Sequence, residues 1–168
     1  MSISTLNGMQ QLAETPDLLR AVLRDVTDEQ TVAKLSPAEW SIAEVLEHMA
    51  HVESHGFRLP LDQMVSESFP DLQPYDQNAL ASAGQYSNHD PEDSFAHWEE
   101  QREDNLAWLE SLSDDAGGRT GNHDRLGSIT VAQLVNEWAY HDLGHLRQII
   151  EIVRKLRYYP GMGPLQKL

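Results

Sequence analysis

Apolar residues recur along this chain at spacings of three and four, the period of a helix with one buried face. Leu6, Met9, Leu12 and Ala13 are continued by Leu18, Leu19, Val22 and Leu23, which predicts a first helix over 3–26. Thr15-Pro16-Asp17 interrupts that stripe. Proline suits a helix start with Thr15 as its cap, so a kink or restart is expected there. A connector with room for one short turn follows and ends at Ser36-Pro37. The second helix opens on Ser41-Ile42-Ala43-Glu44, where Ser41 can cap and Glu44 can reach back. Ile42, Val45, Leu46, Met49 and Val52 form its stripe. It is expected to run to about Ser68, with Pro60 bending or splitting it.

Residues 69–90 lack periodicity and contain Pro70, Pro74 and Gly84. A stretch of this length suggests a functional cover, or a short helix of its own over 78–83. The third helix starts at Asp90-Pro91-Glu92-Asp93, with Asp90 as cap, proline at the first helical position and acids at the positive dipole end. Its stripe is Phe95, Trp98, Leu106, Leu109 and Leu112. Ser113 to Gly127 reads as a glycine-rich connector, with Gly117-Gly118 closing the helix. The fourth helix starts at Thr130, with Gln133 completing a capping box. Its stripe is Leu134, Trp138, His141, His145, Ile149, Ile152 and Leu156, and Tyr159-Pro160-Gly161 stops it. No segment gives a strand signal. The expectation is an all-α, single-domain four-helix bundle over residues 1–168. The long connection between helices two and three leaves room for a crossover rather than a simple up-down order.

Composition narrows the partners. Twenty-seven acids against 12 bases give a net charge of −15, which disfavours phosphate backbones and anionic lipid. Neither nucleic acid nor a membrane is expected as a partner. No apolar run approaches the roughly 20 residues of a membrane-spanning helix. The absence of cysteine excludes disulfides, thiolate metal sites and a cysteine nucleophile. The N-terminal residues lack the basic and apolar regions of a signal peptide, so a cytoplasmic location is expected.

The chemistry concentrates in Trp138 to Gln148, W-A-Y-H-D-L-G-H-L-R-Q. His141 and His145 stand four apart on the apolar stripe, one helical turn from each other. A single histidine there reads as a satisfied core residue. Two on one seam are harder to satisfy in a dry core and are spaced to close on one metal ion. Such a site needs a third protein ligand. His51 and His55 form a competing pair, but on a more polar arc beside Glu53 and Ser54. His48, between Val45 and Val52, is the best inward-facing third ligand. His89, His97 and His123 read as surface residues. Asp142, Glu44 and Glu137 are candidate acids near the ligands, or else solvent-facing helix charges. Arg102 lies between Trp98 and Leu106. It reads as a snorkelling stem or ion pair, or as an anion anchor facing the metal pocket for a carboxylated substrate or thiol cofactor. Tyr75, Asp76 and Tyr86 are placed to line the mouth, and Trp40, Trp98, Trp108 and Trp138 read as packing.

Two blocks carry a resemblance. W-S-I-A-E-V-L-E-H-M-A-H-V-E, Trp40 to Glu53, and H-D-L-G-H-L-R-Q-I, His141 to Ile149, resemble the DinB-like (YfiT-like) family in order and helix layout. The resemblance implies that His48, His141 and His145 bind one divalent metal. It implies a four-helix bundle of down-down-up-up connectivity, often a homodimer. Relatives include thiol-dependent transferases and isomerases, and many proteins of no known activity. The chain is therefore expected to be a metal-dependent hydrolase or a thiol-dependent transferase acting on a small molecule. The alternative is a non-catalytic metal-binding or stress-response interaction protein whose main role is dimerisation. Nitrogen ligands suit zinc, nickel, copper, cobalt or iron, and the sequence does not choose among them. Zinc or nickel is the expected ion, with a low-molecular-weight thiol as a further expected cofactor.

Overall fold

The helical periods are realised in a computed structural model that describes residues 2–74 and 90–168. The short helix expected over 78–83, the mouth residues Tyr75, Asp76 and Tyr86, and His89 lie outside those residues. A 3₁₀ turn at Ile3–Thr5 leads into α1, Asn7–Leu23. A single turn, α2, spans Asp28–Val32. The second long helix is α3, Ile42–Val52, a π-helical turn at Glu53–Arg58, and α4, Leu59–Ser66. β1, Asp71–Leu72, precedes α5, Pro91–Ser111. After a 3₁₀ turn at Ala116–Gly118 come β2, Thr120–His123, β3, Gly127–Thr130, and α6, Val131–Val153. A π-helical turn at Arg154–Tyr158 and a 3₁₀ tail end the chain.

The helix starts follow the local code. Ser41 accepts from the Glu44 backbone while the Glu44 side chain accepts from the Ser41 backbone, and Thr130 and Gln133 do the same for α6. Asp90 accepts from the Glu92 backbone at the start of α5. Pro60, expected to bend or split the second helix, sits at the start of α4 just after the π turn, and the chain stays helical through it. A π turn widens the backbone ring, which is one way a helix accommodates an inserted residue. Here it turns Glu53 and Phe57 into the interior.

Pro16 does not restart α1. The helix runs through it, and Thr15, expected as a cap, is buried and donates its hydroxyl to the Gln11 carbonyl at 2.8 Å. A proline inside a helix leaves the carbonyl four residues earlier without its N–H donor. That carbonyl is Leu12, and Arg102 supplies the missing donor at 3.0 Å.

Four long helices form the bundle, with α1 packed chiefly on α6 and α3 on α5. α1 also touches α5, and the second long helix touches α6, whereas sequential long helices one and two, and three and four, barely meet, so the order around the bundle is not simple up-down. The expectation of no strands needs correction: β1, β2 and β3 form a small sheet, with β1 parallel to β2 and β2 antiparallel to β3. The strands are too short, and T-G-N-H and G-S-I-T too poor in apolar alternation, to announce themselves. The third helix also closes earlier than expected, at Ser111. The sheet fits against α4 because position 121 is glycine: a Cβ there would fall 2.9 Å from Met64 Cγ and 3.1 Å from Leu72 Cγ. Arg119 binds it to the end of α4 through the carbonyls of Met64, at 2.7 Å, and Glu67, at 2.6 Å.

The interior has two apolar clusters. One gathers Leu12, Phe57, Leu61, Met64, Val135 and Trp138; the other gathers Leu19, Val45, Leu46, Trp98, Ile149 and Ile152. Each such side chain contributes on the order of 1.5–3 kcal/mol by leaving water. Near the junction of the clusters, on every long helix, lie buried or half-buried polar residues: Thr15, His48 and Glu53, Arg102 and Asn105, and His141, Asp142 and His145. This polar layer holds the candidate site.

Candidate metal centre

α3 delivers His48 from one side of the bundle, and α6 delivers His141 and His145 from another. His48 is completely buried; the other two are half-buried. The three Nε2 atoms converge. His141 Nε2 lies 3.2 Å from His48 Nε2 and 3.1 Å from His145 Nε2, and the three ligand atoms all fall within 4.8 Å of one another. Tetrahedral bonds of 2.0–2.1 Å would separate two nitrogens by roughly 3.3 Å, and octahedral bonds by roughly 2.9 Å. The two distances from His141 Nε2 fall between these.

Tautomers support the same reading. His145 Nδ1 lies 3.0 Å from Gln148 Oε1, an acceptor, so Nδ1 carries the proton and Nε2 presents its lone pair to the cluster. An imidazole Nε2 that donates can satisfy one neighbour, and His141 Nε2 has two. A cation at the centre satisfies all three lone pairs at once. Burial, followed by mutual repulsion, pushes His48 down to about 2 and His141 down to about 3, so both stay neutral at physiological pH. Burial also lowers His145. Neutral imidazole is the form that ligates metal.

Aromatic rings frame the cluster. Trp40 stacks on His145 with centroids 6.3 Å apart and planes 8° from parallel, and tilts against His48 at 5.0 Å. Phe57 meets His141 edge-on at 5.4 Å and stacks on Trp138 at 5.0 Å. A cleft of about 780 Å³ opens beside the histidines. The segment before α3 supplies Glu39 and Trp40 to its lining, and α6 supplies Glu137, Tyr140, His141, His145 and Gln148. The cluster therefore has an open side.

The structure sorts the remaining candidates. His51 and His55 stack on each other at 4.3 Å away from the triad, and His97 is exposed. His123 sits on β2 beside Asp124. Glu44 is committed to the Ser41 cap and to Lys34 at 2.7 Å. Asp142, next to His141 in sequence, faces away from the cleft and binds Arg102. Only Glu137, of the three acids considered, lines the cleft.

Arg102 corrects the anion-anchor expectation. It is 1% exposed, and all five of its N–H donors are taken. Nε and Nη2 bind Glu53 at 2.8 Å each, Nη1 and Nη2 bind Asp142 at 2.7 and 3.2 Å, and Nη1 also reaches the Leu12 carbonyl. Asn105 and the Trp138 indole N–H complete Glu53. Burial opposes the guanidinium charge, but the two carboxylates outweigh it and hold Arg102 protonated. Burial also raises Glu53, against the pull of Arg102. The sequence shows a cation on the stripe but not its partners. Trp40 and Gln148 are the site residues that sequence reasoning passed over. Trp40 looks like a packing residue from sequence, while Gln148 has a signal, three residues after His145 on the same helix.

A helical bundle with an inward three-histidine cluster open to a cleft defines a class of protein able to hold a metal ion. Residues 11–149 match the DinB superfamily, and the chain belongs to that family. It is 28% identical over 152 residues to the putative metal-dependent hydrolase YfiT of Bacillus subtilis, covering 88% of this chain and 83% of that one. It is 24% identical over 147 residues to a putative metal-dependent hydrolase of Oceanobacillus iheyensis, covering 88% and 84%. Among solved structures, that of Bacillus subtilis YfiT, described as a probable metal-dependent hydrolase with an unusual four-helix bundle topology, superposes with a TM-score of 0.78 at 24% identity over 89% of this chain and 85% of that one. An uncharacterized protein from Clostridium difficile gives 0.65 at 11% identity, over 89% and 95%. These likenesses establish the fold as the DinB four-helix bundle with a small sheet added. No helix among the described residues is long and apolar enough to cross a membrane.

Proposed function

We propose that this chain is a metal-dependent hydrolase in which His48, His141 and His145 hold one divalent transition metal, zinc or nickel. The observation that carries the reading is the convergence of three neutral Nε2 atoms, 3.1–3.2 Å apart along the chain His48–His141–His145, beside an open cleft. Bound there, a divalent ion supplies Lewis acidity, polarising a carbonyl and making water or a thiol a better nucleophile near neutral pH. The protein's own residues do the rest. Gln148 holds the His145 tautomer, and Trp40 and Phe57 restrict the rings. Glu137, one turn before His141 on the same face, places a carboxylate in the cleft where it can accept a proton. The three-imidazole set leaves the ion's charge uncancelled, which favours catalysis over a purely structural role.

Protein purified without a polyhistidine tag should contain about one divalent ion per chain by elemental analysis, the single site that three converging ligands define. His141→Ala should remove it. Full stoichiometry in that variant overturns the ligand set. Activity is sought with esters and amides, and with electrophiles offered alongside low-molecular-weight thiols. Turnover that disappears with the metal supports the enzyme. Metal bound without turnover across the panel points instead to a binding protein.

A further inference from the structure

Gly144 lies in the body of α6, between His141 and His145, and forms part of the cleft lining. Glycine within a helix is destabilising relative to alanine, because it exposes backbone and gives up more conformational freedom on folding. Some other glycines have a steric reason, whereas Gly118 and Gly161, outside the long helices, meet nothing within 4 Å. A Cβ at Gly121 would fall 2.9 Å from Met64, and one at Gly8 would fall 2.8 Å from Asn136 Oδ1. At Gly144 a Cβ would meet nothing within 4 Å, and the backbone there is ordinary helix. Neither packing nor backbone geometry accounts for glycine at this position.

The space above it is the cleft. Tyr140 and Gln148 flank it one turn away on either side, and Trp40, stacked on His145, belongs to the same lining. We propose that Gly144 is a specificity-determining position. The missing side chain lets a flat substituent of the substrate, of the size of an aromatic acyl group, lie against the α6 backbone beside the histidines, with the Trp40 and Tyr140 rings as apolar surface. The substrate class is therefore an ester or amide with a planar, bulky acyl portion rather than a short aliphatic one. This rests on the metal reading above.

The test uses the zinc-loaded full chain and two metal-directed probes, benzohydroxamate and acetohydroxamate, with affinities measured by calorimetry. Wild-type protein is expected to prefer the aromatic probe by about tenfold or more, the scale of one well-buried ring face. Gly144→Ala should reduce that preference while raising the melting temperature by roughly 2–4 °C, since alanine is the better helix former. Gly144→Leu should abolish the preference and leave acetohydroxamate within about threefold of wild type, a change too small to reflect loss of the metal. Zinc content should not change in either variant. An aromatic preference that survives Gly144→Leu, or is absent from zinc-loaded wild type, overturns this inference and leaves the metal site intact. Failure of wild type to take up zinc or nickel overturns the metal reading itself, and this inference with it.

Discussion

The polar layer of the bundle contains two clusters that share two helical segments, one of them closed by Arg102 from α5, and they have opposite characters. Glu53 follows His48 by five residues, and Asp142 is the immediate neighbour of His141. On one side of the layer Glu53, Asp142 and Arg102 close on one another, with every guanidinium proton used. On the other side three imidazoles aim nitrogen atoms at a common point and leave one flank open to the cleft. A saturated cluster has no donor to offer a ligand, so its role is to fix the helices. A cluster whose nitrogens converge beside an open flank is poised to bind. Burial alone therefore does not tell function from scaffold; the completeness of the hydrogen-bonding account does.

The sharpest way to break this contrast is to open the closed cluster. Arg102→Met strands two buried carboxylates and is expected to cost about 3–5 kcal/mol in urea denaturation of the metal-free protein. Replacing all three charges together, Glu53→Met, Arg102→Met and Asp142→Leu, is expected to cost less than the single change, because no buried charge is left alone. A single-variant loss under about 1 kcal/mol would show that the cluster does not fix the helices.

Acid probes the other cluster. In the folded, metal-free protein His48 sits near 2 and His141 near 3, against an ordinary value of 6.5. As pH falls below 6.5 the unfolded chain takes up protons that the folded chain refuses. Stability is therefore fully present above pH 6.5 and is lost progressively below it. The slope is up to about 1.4 kcal/mol per pH unit for each such histidine. Glu53, held above the ordinary carboxylate range, acts in the opposite sense, so the assignment rests on comparing wild type with His141→Ala between pH 5 and 7. Identical slopes in the two proteins would remove His141 from the account.

The smallest effect concerns orientation. Gln148→Ala removes the partner that holds the His145 tautomer and should weaken zinc binding about tenfold in a chelator competition. His141→Ala should do far more. Equal affinity for wild type and Gln148→Ala would mean that the ring needs no outside support.

What was legible in the sequence was what periodicity can carry. Helix starts at Ser41, Asp90 and Thr130 are local events within four residues, and the structure has them where the capping residues stand. His141 and His145 share a face by helical arithmetic, and His48 follows from its place among Val45 and Val52. Arg102 was ambiguous because its partners are 49 and 40 residues away in sequence, and no period connects them. The sheet was hidden for a similar reason. β1 pairs with a distant segment, and even the local β2–β3 hairpin has little apolar content, so the sheet depends on the space that Gly121 leaves over Met64.

Pro16 makes the backbone bonding of one helix depend on the others. The Leu12 carbonyl gains its donor only when Arg102 is in place, and Arg102 is held in place by carboxylates from the second and fourth long helices. α1 therefore cannot complete its own backbone bonding as an isolated unit. In hydrogen exchange, amides around Leu12 should open together with the contacts of α5, so that a proline in one helix reports on the assembly of the other three.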